Sequence, residues 1–426
     1  MADIAHEVRQ EVENLTDELI ELCRSLVQIN TVNPYAGVEP TGSEGAGQAF
    51  LEPIMKAMGG KTRLFEPPPD IFERMGVIGP KGRSWQGRPN LVTEFDLGPG
   101  PSVLINSHMD TVGVDGMHFD PFGGEVRDGR IYGRGSSDDK GGMTMGVIAI
   151  KAVMKFADAL SGTIVHESVV DEECSGSGAG TLACRLEGVT ADEAVVIDGQ
   201  RLAIVRGCQG CLTADVTVHG RAGHAATGGV NAIDKAIIVK NAIDALKRDR
   251  EARYPGCLMN LGIFNAGSHP AVVPGLATLS LNLVYHNEEA TANEQAGRGW
   301  NGSAVRDAFE QIVAEADESD DWLGEHRSQV EWVKDLVPFE TPADAPVTQN
   351  LCAAYEAALG ESPIVEIMPA WADAANVVRY GGIPAVLFGP GWGEAAHSQD
   401  ETVVIDDIVK GAKVVATYLC HRLAKA

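Results

Sequence analysis

The chain is short of positive charge: 34 Lys and Arg stand against 60 Asp and Glu, a net charge of −26. A surface of that sign repels phosphate backbones and anionic lipid faces, so neither nucleic acid nor a membrane is expected as a partner. Long apolar runs are also missing. No stretch approaches the roughly 18 residues that a membrane-spanning helix needs. Met1 to Asn14 carries Asp3, Glu7, Glu11 and Glu13 where an export signal has a basic and then an apolar stretch, so a cytoplasmic protein is expected. Cysteine is sparse: Cys23, Cys174, Cys184, Cys208, Cys211, Cys257, Cys352 and Cys420 are too dilute for a disulfide framework and are expected mostly as reduced core thiols. Cys208 and Cys211 form one C-x-x-C, the spacing of half a zinc site or of a redox pair. No second pair lies at a matching distance, which favours two ordinary thiols.

What is present is a globular composition. With 44% hydrophobic and 22% charged residues the chain can bury sizeable cores, and intrinsic disorder does not fit. Its 426 residues imply two to three folding units. Val8, Val12, Leu15, Leu19, Leu22, Leu26 and Ile29 recur at helical spacing and predict one amphipathic helix over residues 8–29. Short strands are expected at 90–95, 103–106, 162–170, 194–197 and 385–388, with helices at 143–156 and 406–423. Strands alternating with helices predict an α/β sheet covered on both faces. Near residue 205 the texture changes. Residues 212–219 and 277–285 alternate apolar and polar side chains, as half-exposed antiparallel strands do, and 231–248 reads as a helix. Such a stretch fits a small two-layer unit inserted into the first domain, followed by an exposed loop at 287–304 and a helix at 305–316.

Three segments set metal-ligand residues directly after apolar strands. Ser107-His108-Met109-Asp110-Thr111 follows one strand and Asp171-Glu172-Glu173 another, while a Gly-rich stretch carries Asp138-Asp139-Lys140. Strand C-terminal ends are where active sites collect in open α/β sheets. Imidazole with carboxylate oxygens suits Zn²⁺, Mn²⁺ or Co²⁺. Taken singly, each has a plainer reading: a satisfied histidine, a solvated turn, or a helix cap in the case of Asp138 and Asp139. Together, adjacent carboxylates at two separate strand ends are electrostatically expensive unless a cation neutralises them.

The strings SHMDTV, GRGSSDDKGG and DEE, in this order and spacing, resemble the acetylornithine deacetylase, succinyl-diaminopimelate desuccinylase, aminoacylase and carboxypeptidase-G family of metallohydrolases. VVIDG at 195–199, VHGRAGHAATGGVNAID from Val218 and FGPGWGEAAHS before Asp400-Glu401 extend the match over nearly the whole chain. The resemblance implies an α/β, phosphorylase/hydrolase-like catalytic domain with a mixed sheet covered by helices (residues 1–205 and 333–426). It also implies an inserted two-layer α+β lid and dimerisation domain (206–332). One or two divalent ions would be held by His108, Asp138 and Asp198 and by Asp138, Glu173 and His397, with Asp138 bridging. Asp110 would orient His108, and Glu172 would be the general base. His224 would stabilise the developing oxyanion, often in the partner subunit's site, which implies a homodimer. The Asp138–Asp139 peptide would be cis.

Departures from the family pattern bear on the substrate. Ala271 and Val284 occupy places where relatives carry a substrate-binding Asn and Arg, so a bidentate carboxylate anchor is lost or relocated, with Arg379 or Arg221 as stand-ins. Asp373 matches the family's substrate-side segment, with Ala372 in place of the usual Thr, and Asn231 is a further candidate on the substrate side. Asp198, where acylases and carboxypeptidases of the family tend to carry Glu, leans toward aminopeptidases and dipeptidases. The expected activity is hydrolysis of a C–N bond in a small molecule. An amide or peptide substrate comes first. An aromatic aminohydrolase, acting on a substrate such as nitroanthranilate, is the enzymatic alternative, with Met368-Pro369-Ala370-Trp371 as the bulky segment beside Asp373. A catalytically silent binding protein of the same fold is the third reading, weakened because every ligand position and the base position hold suitable residues.

Overall fold

A computed structural model describes residues 2–37, 39–173, 177–256, 258–391 and 394–425. Cys174 and Cys257, and Trp392 and Gly393 of the FGPGWGEAAHS string, lie outside the described residues. Nine strands form one mixed sheet. In order across it run Lys61–Phe65, Asn90–Asp96, Thr163–Val169, Ser102–His108, Glu193–Val196, Ala385–Leu387, Ile204–Cys208 and Phe339–Glu340, and Val365–Met368 also pairs with Ile204–Cys208. The central four, from Thr163–Val169 to Ala385–Leu387, are mutually parallel, so their C-terminal ends share one rim of the sheet. Their apolar residues, among them Val103 to Ile105, Ala194 to Val196 and Ala385 to Leu387, are fully buried, as parallel strands covered on both faces must be.

Helices Ala2–Asn14, Thr16–Gln28, Lys140–Met154, Pro346–Leu359 and Ile405–Leu423 supply the core on one face. Ala179–Leu186 and Ala374–Gly381 supply it on the other. Lys140–Met154 is buried nearly all round and lies against the rim. Gly142 permits that approach: a Cβ there would overlap the carbonyl oxygen of Ile197. Gly199 does the same one strand along, where a Cβ would overlap the backbone of Phe388 and Gly389. The predicted 8–29 helix is two helices that meet at Leu15, because the Thr16 hydroxyl bonds the Glu13 carbonyl and competes with the helical ladder.

A second, antiparallel sheet has the order Met259–Ala266, Leu276–Tyr285, Gly210–His219, Gln329–Leu336. Leu212, Ala214, Val216 and Val218 pack beneath helices Ala232–Arg253 and Ser303–Glu318, and the intervening Cys211, Thr213, Asp215 and Thr217 face the other way. The strand Gln329–Leu336 crosses the expected boundary at 332/333 and stays in this sheet to its end. The expected loop at 287–304 is a correction. Asn287–Gln295 is helical, closed at its start by Glu289 accepting from the His286 backbone N–H, and Asn293 then bonds Gly299 and Asn301. Polar side chains that read as solvated satisfy the backbone locally instead. Cys23, Cys184, Cys208, Cys211, Cys352 and Cys420 are free thiols. Among the described residues, no helix is long and apolar enough to cross a membrane.

Candidate metal centre

The shared rim gathers the ligand-type side chains. His108 closes its strand. Asp171-Glu172-Glu173 follows Val169 after one residue, Asp198 follows the strand ending at Val196, and Asp138 lies two residues before the helix Lys140–Met154, next to its N-cap Asp139. Two groups result, His108 with Asp138 and Asp198, and Asp138 with Glu173 and His397, each with its ligand atoms within 4.8 Å of one another. His108 Nε2 lies 2.9 Å from Asp138 Oδ1; His397 Nε2 lies 2.9 Å from Glu173 and 3.4 Å from Asp138. The Asp138–Asp139 peptide is cis, and His397 holds a left-handed backbone with φ 60°.

The supporting shell is built from buried polar residues. His108 Nδ1 donates to the Asp110 carbonyl at 3.0 Å, while the Asp110 carboxylate lies 3.7 Å away. Because a carbonyl only accepts, Nε2 is the nitrogen left for a cation. The Asp110 carboxylate instead accepts from the backbone N–H groups of Glu172 (3.1 Å) and Glu173 (3.2 Å), and from Asn33 Nδ2 (2.9 Å). Asn33 also bonds Asp171, and Arg88 pairs with Glu44 and reaches Asp171. On the other side Glu401 accepts from the backbone N–H groups of Ser137 (3.0 Å) and Asp138 (3.2 Å) and pairs with buried Arg134. Glu401 thereby ties the segment that carries His397 to the one that carries Asp138. The sequence did not point to Arg88 and placed Arg134 within a matched string without giving it a role, since the partners of each lie tens to hundreds of residues away.

Burial, and then the neighbouring carboxylates, push Glu172, Glu173 and Asp198 above the usual carboxylate range. Burial opposes protonation of His108, yet its bond to Asp138 and the surrounding acids carry it upward. Bonds to Asp138 and Glu173 raise His397 to about 12. Buried acids in this number, interleaved with two imidazoles, are a donor set that a divalent cation fits and offsets. Asp138, Glu172, Glu173, Asp198 and His397 line a cavity of about 550 Å³. Its wall is completed by Met368 and Trp371 and by the polar face of the second sheet at Cys211, Thr213, Asn282 and Lys334.

Other candidates lie elsewhere. Asp373 is buried, accepts from Thr181 (2.7 Å) and Asn376 (3.2 Å), and burial holds it near 7. Asn231 caps the helix Ala232–Arg253 through Ile233 N–H. Arg379 stacks on Trp300 at 3.5 Å and donates to the Pro338 carbonyl, and Arg221 lies over Trp322. His224 is exposed, in a two-stranded ribbon with Val272–Val273. None of these lines the cavity. Cys208 is buried in the large sheet while the Cys211 thiol donates to Asn282 Oδ1, and neither joins a ligand group among the described residues.

The fold and the two candidate ligand groups, together with the family match, define a metallohydrolase that acts on C–N bonds. The chain belongs to peptidase family M20/M25/M40, whose model matches residues 104–421. N-formyl-4-amino-5-aminomethyl-2-methylpyrimidine deformylase of Bacillus subtilis (strain 168) is 26% identical over 448 residues, covering 97% of this chain and 96% of the relative. A dipeptidase of Saccharomyces cerevisiae shares the fold with a TM-score of 0.74 at 16% identity, covering 98% of both chains. A dinuclear metal-binding peptidase of the M20 family from Bacillus subtilis does so with a TM-score of 0.63 at 12% identity, covering 96% of this chain and 98% of the other.

Proposed function

We propose that this protein hydrolyses an amide bond of a small molecule, with one or two Zn²⁺, Mn²⁺ or Co²⁺ ions held by His108, Asp138 and Asp198 and by Asp138, Glu173 and His397. The observation that carries the reading is the sharing of Asp138 by two ligand groups that open, with Glu172 beside them, into one cavity. When bound, such a cation acts as a Lewis acid that eases deprotonation of water and polarises the carbonyl. Glu172 is the base that takes the proton and returns it to the leaving nitrogen; its backbone N–H is held by the Asp110 carboxylate, and burial raises its carboxyl above the usual carboxylate range. Resemblance to the deformylase makes short N-acyl groups, formyl included, the first to try alongside dipeptides and N-acyl amino acids. Residues 206–332 are read as a lid that also dimerises, with His224 of each subunit completing the other's site. Its edge strand Met259–Ala266 supports this reading, since it exposes Ile263 (52%) and Phe264 (38%), and a second copy would cover them. We place the protein in the cytoplasm.

The test is a panel of N-acyl amines and dipeptides. Excess chelator should abolish turnover and Mn²⁺, Zn²⁺ or Co²⁺ restore it; full activity in chelator would refute the reading. Glu172→Gln should lower kcat by about 10²–10⁴-fold with metal content unchanged. Trp371 favours a second reading, an aromatic aminohydrolase: its Nε1 is anchored on the Val337 carbonyl, which fixes an indole on the cavity wall where a flat ring can stack. Ammonia released from an aminoaromatic, with no amide cleaved, would decide for it.

A further inference from the structure

The strand Gln329–Leu336 contains a β-bulge that decides which way one cation points. Val330 and Trp332 pair with Val216 and Ala214 and pack on the helix-covered side of the second sheet. In an unbroken strand Lys334 would follow them and face the same apolar core, opposite Leu212. The register shifts between Trp332 and Lys334, so Lys334 pairs with Thr213 instead and Asp335 takes the place opposite Leu212. Asp335 is satisfied there, accepting from Tyr285 Oη at 2.8 Å and from Gly302 N–H. One inserted residue thus puts Lys334 on the cavity side of the sheet and Asp335 on the helix side, the re-aiming that bulges beside active sites perform.

Register places Lys334 in a row. Asn282, Thr213 and Lys334 are lateral partners on three neighbouring strands, and all three line the cavity that holds Glu172 and Asp198. Asn282 Oδ1 accepts from Cys211 Sγ (2.8 Å) and Thr213 Oγ1 (3.4 Å), which orients its Nδ2 away from both. Among the described lining residues Lys334 is the one Lys or Arg; the other charged groups are the acids of the metal centre and His397. The cavity therefore has two chemically distinct walls, a cation-binding rim and a facing wall on which Lys334 and Asn282 Nδ2 are the donors and Thr213 orients Asn282.

We propose that Lys334, flanked by Thr213 and Asn282, is an anion subsite, and that the substrate presents a carboxylate to it while its scissile C–N bond faces Glu172. The proposal deepens the hydrolase reading and rests on it for the direction in which the substrate lies. It also sets this chain apart from enzymes whose substrates carry no anionic group.

Binding to the full-length, Mn²⁺-loaded Glu172→Gln protein, in which turnover is slowed, tests it by calorimetry. The probes are N-benzoylglycine against its amide, and 2-aminobenzoate against 2-aminobenzamide. At least one acid should bind about tenfold or more tightly than its amide. Lys334→Met and Lys334→Gln should erase the preference while leaving the amides' affinity unchanged, and Lys334→Arg should keep it. Equal binding of acid and amide in both pairs, no binding of either acid, or a preference that survives in Lys334→Met would overturn the proposal. If the acids bind through Lys334 and the wild-type enzyme cleaves no amide, the subsite stands and the amide-hydrolase reading falls.

Discussion

His166 lies in the central strand Thr163–Val169, fully buried, and neither ring nitrogen has a hydrogen-bond partner among the described residues. Burial lowers its pKa to about 4, so the folded protein keeps the imidazole neutral where the unfolded chain, near 6.5, takes up a proton. Between those values the unfolded state binds more protons. Stability is therefore full above about pH 6.5 and falls as pH drops toward 4, by about 3 kcal/mol from this residue. Urea unfolding of His166→Leu across that window should show a pH slope shallower than wild type by about one proton; an unchanged slope would remove His166 from the account. The motif residues behave differently. His108, Asp138, Glu172, Glu173 and Asp198 were legible because each sits in a short string at a strand or helix end. Arg88 and Lys334 were not, and Glu401 was legible only as the end of a matched string and not in its role, because what they touch is set by distant segments.

Elements differ in how openly they announce themselves. The strands Ser102–His108 and Glu193–Val196 read correctly because an apolar run buried on both faces has few alternatives. Met259–Ala266 went unread: Asn260, Gly262 and Asn265 interrupt its pattern, and an edge strand in half-contact with a core has no strict alternation to keep. The helix Lys140–Met154 was legible in its apolar body but not in its fit to the rim, which Gly142 decides. Gly142→Ala should lower stability by about 1–3 kcal/mol, because the backbone carbonyl of Ile197 cannot yield. Its effect on metal affinity should be larger than that of a surface Gly→Ala, since Asp198 follows Ile197 and Asp138 precedes the helix. Chemical denaturation with a parallel Mn²⁺ titration checks both.

For the whole molecule, the proposed dimer makes a prediction that a monomer cannot meet. His224→Ala and Glu172→Gln should each be inactive alone. Mixed and allowed to exchange, half the dimers would be hybrids with one intact site of two, so activity should return to about a quarter of wild type. No recovery, with exchange verified, would place His224 in its own subunit's chemistry or outside it. Phe264→Glu at the exposed edge should shift sedimentation toward monomer and lower activity with it. The charge of −26 is also a whole-molecule quantity: several of its acids are gathered at the centre, where bound cations would offset them, and the rest are left to solvate the surface.

By itself the sequence determined the class of sheet, the change of texture near residue 205 and the metal-ligand strings, because these depend on periodicity and on residues close along the chain. Only the tertiary structure decided what the ligands rest on and what faces them. The Asp110 carboxylate holds the Glu172-Glu173 backbone instead of the His108 ring, Glu401 joins two ligand segments, and Arg379 is held against Trp300. A one-residue bulge turns Lys334 into the cavity. Each of these depends on a register or a close approach between distant segments, and a shift of one residue exchanges the faces of a strand while leaving its composition unchanged.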